Sequence, residues 1–206
     1  MEEYFTVKKA ARTETIIEHS RFITNVARVT SEGEAKEFID KVRKTYPDAT
    51  HNCYAYITER GAYSRYSDDG EPAATAGPPI FDVLKNDSLI DTAIVVTRYF
   101  GGVKLGTGGL TRAYGGCAAK CVEEAGIVKM CAAYMCSIRL SYGDYGYFSK
   151  LLSDDVSVSS VDYADGVAVR LFIKKSGYNS FNRAFCDQYR GKYEIETLSE
   201  DFSEFQ

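Results

Sequence analysis

The sequence predicts an α+β chain of two domains, a mixed α/β domain over residues 1–132 and a ferredoxin-like βαββαβ domain over 133–206. Three observations lead there. Ala93 to Val96 is a continuous, β-branched apolar run, as expected of a strand buried on both faces. Soon after it, Leu110, Ala113, Tyr114, Cys117, Cys121 and Ala125 form a helical apolar stripe, which Gly126 stops. Beyond Ala132 the patterns follow each other as strand, helix, strand, strand, helix, strand.

The elements read in order as follows. Strand-like segments occupy Tyr4 to Val7, Thr15 to Glu18 and Phe22 to Val29. Between Ser31 and Tyr46 the period becomes helical: Ala35, Phe38, Ile39 and Val42 share a face, Ser31 with Glu34 resembles a capping box, and Pro47 ends the run. His51 to Thr58 and Ala62 to Ser67 read as a hairpin turning at Glu59, Arg60 and Gly61. A helix follows over Pro72 to Asn86, its regular part displaced or broken by Pro78 and Pro79. In the second domain, Tyr134 to Leu140 is a strand, Tyr145, Phe148 and Leu152 mark a short helix, and Val156 to Tyr163 is a strand. Asp165-Gly166 then turns a tight hairpin into the alternating Val167, Val169, Leu171 and Ile173. Tyr178, Phe181, Ala184, Phe185 and Tyr189 line a last helix, and Tyr193 to Leu198 is a final strand. The acids Glu194, Glu196, Glu200, Asp201 and Glu204 suggest a solvated tail.

Composition narrows the function classes. With 45% hydrophobic and 26% charged residues, the chain is expected to fold around conventional cores. It opens MEEYFTVKK, without a signal-peptide apolar stretch, so a cytoplasmic location away from membranes is expected. Six cysteines lack any Cys-x-x-Cys pair and only His19 and His51 are present, which argues against structural zinc. At least five of those thiols are expected to be reduced, buried small hydrophobes. A net charge of −4 excludes a uniformly basic surface. Thr92 to Val122, however, carries Arg98, Lys104, Arg112 and Lys120 and no acid at all.

Three segments have the residue types for chemistry. The first is Thr97 to Gly116, TRYFGGVKLGTGGLTRAYGG, where a buried strand runs through Gly101, Gly102, Gly106, Gly108 and Gly109 into a helix. Glycines permit close backbone approach, a helix start offers unpaired N–H groups, and Arg98, Lys104 and Arg112 supply charge, so this is a candidate anion or nucleic-acid site. It matches neither named phosphate loop: Thr107 stands where a P-loop needs lysine, and Thr111 where a dinucleotide fingerprint needs glycine. Tight packing of helix on sheet explains the glycines equally well. The second is SDDGEP, whose Asp68, Asp69 and Glu71 could hold a divalent cation, although the calcium-hand spacing is absent. Helix capping is the favoured role, a salt bridge to Arg98 or Arg112 the intermediate one. The third is His51-Asn52-Cys53, two side chains on one strand face that could form a nucleophile pair but lack a third, orienting residue.

These residues resemble the YigZ/IMPACT family: Ser20-Arg21-Phe22-Ile23, His51-Asn52-Cys53-Tyr54-Ala55-Tyr56, SDDGEPAATAGPPI (Ser67 to Ile80) and VVTRYFGGVKLGTGGLTRAYG (Val95 to Gly115). The resemblance implies a two-layer α/β first domain similar to the fourth domain of elongation factor G and a second domain similar to that factor's fifth. It also implies contact with RNA or the ribosome, and brings no catalytic residues and no cofactor. The expected function is therefore a translation-associated binding or regulatory protein. A regulator that binds protein alone is the alternative. A metal-assisted hydrolase built on Asp68, Asp69, Glu71 and His51 stands third.

Overall fold

The computed structural model describes residues 1–205, arranged as a mixed α/β fold in two compact units, Tyr4–Val128 and Met1–Glu3 with Lys129–Gln206. The larger unit is built on the antiparallel sheet β2-β3-β6-β4-β5, made of β2 (Ala11–Ile17), β3 (Ser20–Arg28), β4 (His51–Thr58), β5 (Tyr63–Ser67) and β6 (Thr92–Tyr99). β1 (Glu3–Val7) precedes them. The central strand β6 is buried through seven successive residues, and its middle, Ala93 to Val96, is apolar on both faces. Ile94 and Val96 pack with Phe22, Cys53 and Ala55 under α2 (Gly77–Asn86) and α3 (Gly106–Ala125). Ala93 and Val95 point the other way and pack with Val29, Ala35, Ile39 and Val42, the inner face of α1 (Glu32–Thr45). Helices thus cover both faces. The two layers implied by resemblance are corrected to three, because β6 is apolar on both sides and each face needs a cover.

Local signals explain the helix ends. Ser31 caps α1 by accepting the Glu34 N–H at 3.2 Å, while the Glu34 carboxylate reaches back to the Thr30 N–H at 2.7 Å. α2 starts only at Gly77, five residues later than expected from Pro72, with Pro78 and Pro79 in its first turn, where a missing N–H costs nothing.

In the second unit β7 (Ile127–Leu140), β8 (Val156–Tyr163), β9 (Val167–Lys174) and β10 (Ile195–Glu204) form the antiparallel order β10-β7-β9-β8. Cys136, Ile138, Val169 and Leu171 lie against Phe181 and Phe185 of α5 (Tyr178–Tyr189). The short helix expected through Leu152 is four residues of α4 (Tyr142–Tyr145) and a separate 3-10 turn, Phe148–Leu151. The acids Glu194, Glu196, Glu200, Asp201 and Glu204 are exposed, as expected of a solvated end, but the strand that carries the last four of them extends past the expected Leu198. β10 runs to Glu204 with its register broken between Thr197 and Ser199, its residues pairing from Ile195↔Ile138 to Glu204↔Met130. Glu200 forms an ion pair with Lys175. Of the six thiols, Cys53, Cys117, Cys121 and Cys136 are buried, Cys131 is half-buried and Cys186 exposed, so four rather than five are core residues. Among the described residues no helix is long and apolar enough to cross a membrane.

Candidate functional site

Arg98 occupies the β6 position flanked by Phe22 of β3 and His51 of β4. Its side chain is 5% exposed. Nη1 donates to Glu71 Oε1 at 2.7 Å, Nη2 donates to Ser20 Oγ at 3.2 Å, and Nε has no partner. Glu71 is buried as deeply, at 3%, and the same Oε1 accepts the Tyr114 hydroxyl of α3 at 2.7 Å. Burial, then the nearby Cys53 and Glu71, raise the Tyr114 pKa and keep this hydroxyl a donor. Arg98 is therefore corrected from a surface cation to the centre of an internal network. A buried guanidinium without a carboxylate would be too costly, and Glu71 supplies it.

The rest of the acidic loop is likewise directed inward. The Asp68 carboxylate accepts the N–H groups of Ala74, Ala76 and Gly77, at 2.8 to 2.9 Å, capping the approach to α2. Burial opposes its charge, but hydrogen bonds from the Gly77, Ala76, Ala74 and Thr75 backbone outweigh that and lower its pKa. Asp69 joins Arg43 at 2.9 Å and the Asn52 N–H at 2.7 Å. The three carboxylates thus face three separate sets of partners. Among the described residues, no group of three or more His, Cys, Asp or Glu is placed to hold a metal ion. His51 and Cys53 do not pair either. The His51 Nδ1–H donates to the Asp69 carbonyl at 2.9 Å and the Cys53 thiol to the Asp68 carbonyl at 2.9 Å. Burial raises the Cys53 pKa, so the reactive thiolate is suppressed.

The glycine-rich segment is different. Gly101 lies so close to the β2–β3 turn that a Cβ there would fall 2.0 Å from the His19 carbonyl carbon, and its N–H donates to Ser20 Oγ at 3.2 Å. That turn holds Glu18 and His19 at φ 44° and 63°, an uncommon conformation for residues with a Cβ. Gly102, at φ 86°, then takes a left-handed conformation that favours glycine. α3 starts at Gly106 with no side-chain cap and no acid in its first turn. Arg112 folds back along the helix, its Nη1 3.6 Å from where a Cβ on Gly108 would stand. Lys104 and Arg112 line one open cleft of about 500 Å³ with Glu18, Val103, Leu105 and Gly109. Among the described residues neither cation forms an ion pair, and the cleft's one lining carboxylate is Glu18. Of the three expected cations, two converge. Sequence reasoning missed Phe100 and Val103, which stand 48% and 40% exposed in the same loop. An aromatic residue among glycines just beyond a buried strand was the available signal.

A mixed α/β protein whose glycine loop is seated on a buried Arg-Glu-Tyr network is the class that fold and site define. The family model of the Impact N-terminal domain matches residues 18–122, which contain that network and loop. The chain is 38% identical over 200 residues to the IMPACT family member YvyE of Bacillus subtilis, covering 95% of this chain and 91% of that one. It is 32% identical to the IMPACT family member YigZ of Escherichia coli, covering 89% and 92%. A crystal structure of a hypothetical protein superposes with a TM-score of 0.64 at 30% identity, over 98% of this chain and all of the other. The chain belongs to the YigZ/IMPACT family.

Proposed function

We propose that this chain is a translation-associated binding protein that meets RNA or a ribosomal surface through Lys104, Arg112 and the N–H groups at the start of α3. Family membership supports the link to translation. The observation that carries the binding surface is the convergence of two cations, unpaired among the described residues, beside an uncapped helix start, where backbone dipoles and charge both favour phosphate. Arg98 acts in this reading from beneath, holding Ser20 and so the Gly101 N–H in place. The second unit is read as a ferredoxin-like domain, supported by its order β10-β7-β9-β8 with the first helix reduced to α4.

The reading is tested by pelleting purified ribosomes with the protein at about 50 and about 200 mM salt. Co-sedimentation that weakens with salt and is lost in the K104Q/R112Q variant is expected. No co-sedimentation at either salt, or equal pelleting of the variant, would contradict it and favour a purely protein-binding regulator.

A further inference from the structure

We propose that Phe100 is a base-stacking platform, so that the nucleic acid this surface accepts is single-stranded. The proposal rests on the RNA reading above and names its substrate class. Apolar side chains exposed singly are common on this protein as on others, but here two, Phe100 and Val103, occur within four residues of a loop that also carries Lys104. The ring is held from behind: the Arg98 guanidinium carbon lies 5.5 Å from the Phe100 centroid and equally 5.5 Å from that of Phe22. Phe22 and Arg98 are buried, so the space into which Phe100 would withdraw is filled. Its backbone is tied as well. The Phe100 N–H donates to Thr50 Oγ1 at 3.1 Å, and the neighbouring Gly101 N–H to Ser20 Oγ at 3.2 Å.

A pre-placed aromatic ring in a loop with cations is what unpaired bases use: the ring takes a base face while lysine and arginine take phosphates. Charge favours nucleic acid over an acidic or neutral apolar partner only locally, because no acid occurs from Thr92 to Val122. Glu18 lines the cleft and opposes phosphate, so E18Q is expected to tighten binding. A duplex keeps its base faces stacked inside and would engage the cations alone.

The chain contains no tryptophan, so F100W introduces a unique fluorescent reporter at the platform. Titration with an oligouridylate of about 10 nucleotides is expected to quench it saturably, and a duplex RNA of equal length to leave it unquenched. F100A is expected to weaken oligouridylate binding about tenfold with an unchanged salt slope and melting temperature, whereas K104Q/R112Q lowers the slope. Undiminished affinity of F100A, or equal quenching by duplex, overturns the platform while leaving the phosphate surface standing. Absence of any salt-dependent RNA binding by the unaltered protein instead overturns the RNA reading, and the platform with it.

Discussion

The acidic loop from Ser67 to Gly77 and the glycine-rich segment from Phe100 to Gly109 have the same standing in the sequence and opposite fates in the fold. Each crowds charge and glycine between a strand and a helix. In the first, Asp68 binds the α2 start, Asp69 binds Arg43, and Glu71 binds Arg98 and Tyr114. In the second, Lys104, and Arg112 just beyond it in α3, meet no carboxylate within ion-pair distance among the described residues, and the α3 start has no cap. Burial makes the difference. Once Arg98 is placed in the central strand, a carboxylate must follow it inside, and the acidic loop becomes scaffold for the loop above it.

Substitutions in the scaffold should separate the two regions most widely. Removing one partner of the buried pair, by R98Q or E71Q, is expected to destabilise the protein by about 3–5 kcal/mol in urea denaturation, since it strands the other charge. A variant of either kind that kept full stability would erase the contrast. Loss of the cap in D68A is expected to cost about 2 kcal/mol. The Asp68 carboxylate is stabilised in the folded state, so its contribution is present above the unfolded value of about 3.9 and disappears as pH falls through the lower folded value. The acid limb of the stability profile should therefore be shallower in D68A. An identical limb would place the capping bonds outside the stability of the fold.

Smaller effects sharpen the comparison. Native thiol labelling is expected at Cys186 first and Cys131 more slowly. Cys117, whose pKa burial pushes up to about 11, and the fully buried Cys121 are expected to react only after unfolding. Rapid native labelling of either would loosen the packing of α3 on the sheet. The smallest change belongs to K104Q/R112Q, expected to stay within about 0.5 kcal/mol of the unaltered protein in the same denaturation experiment. A larger loss would move these cations into the scaffold too.

What was legible followed local rules. Ser31, Glu34 and the Ala35-Ile39-Val42 stripe announce α1, and an uninterrupted apolar run announces β6, because neighbours in sequence carry those signals. The family blocks at Ser67 to Ile80 and Val95 to Gly115 contain both the buried network and the glycine-rich loop. The pairing of Glu71 with Arg98 was not legible as such, since no spacing rule links residues 27 apart, and the salt bridge stood only as one option among three. The last strand was expected over Tyr193 to Leu198, and acidic residues concealed its continuation to Glu204, since outward positions can be charged without breaking the strand. Phe100 is not legible as a surface residue, because an aromatic beside a buried strand ordinarily belongs to the core. Its exposure follows from Arg98 and Phe22 already filling the space beneath it.

The most direct test of the account is the slope of log affinity against log salt for single-stranded RNA, compared between the unaltered protein and K104Q/R112Q. Loss of two phosphate contacts is expected to lower that slope by about 1.4, about 0.7 for each, with the melting temperature unchanged. An unchanged slope, or RNA binding that does not depend on salt at all, would contradict the assignment of this loop as the binding surface.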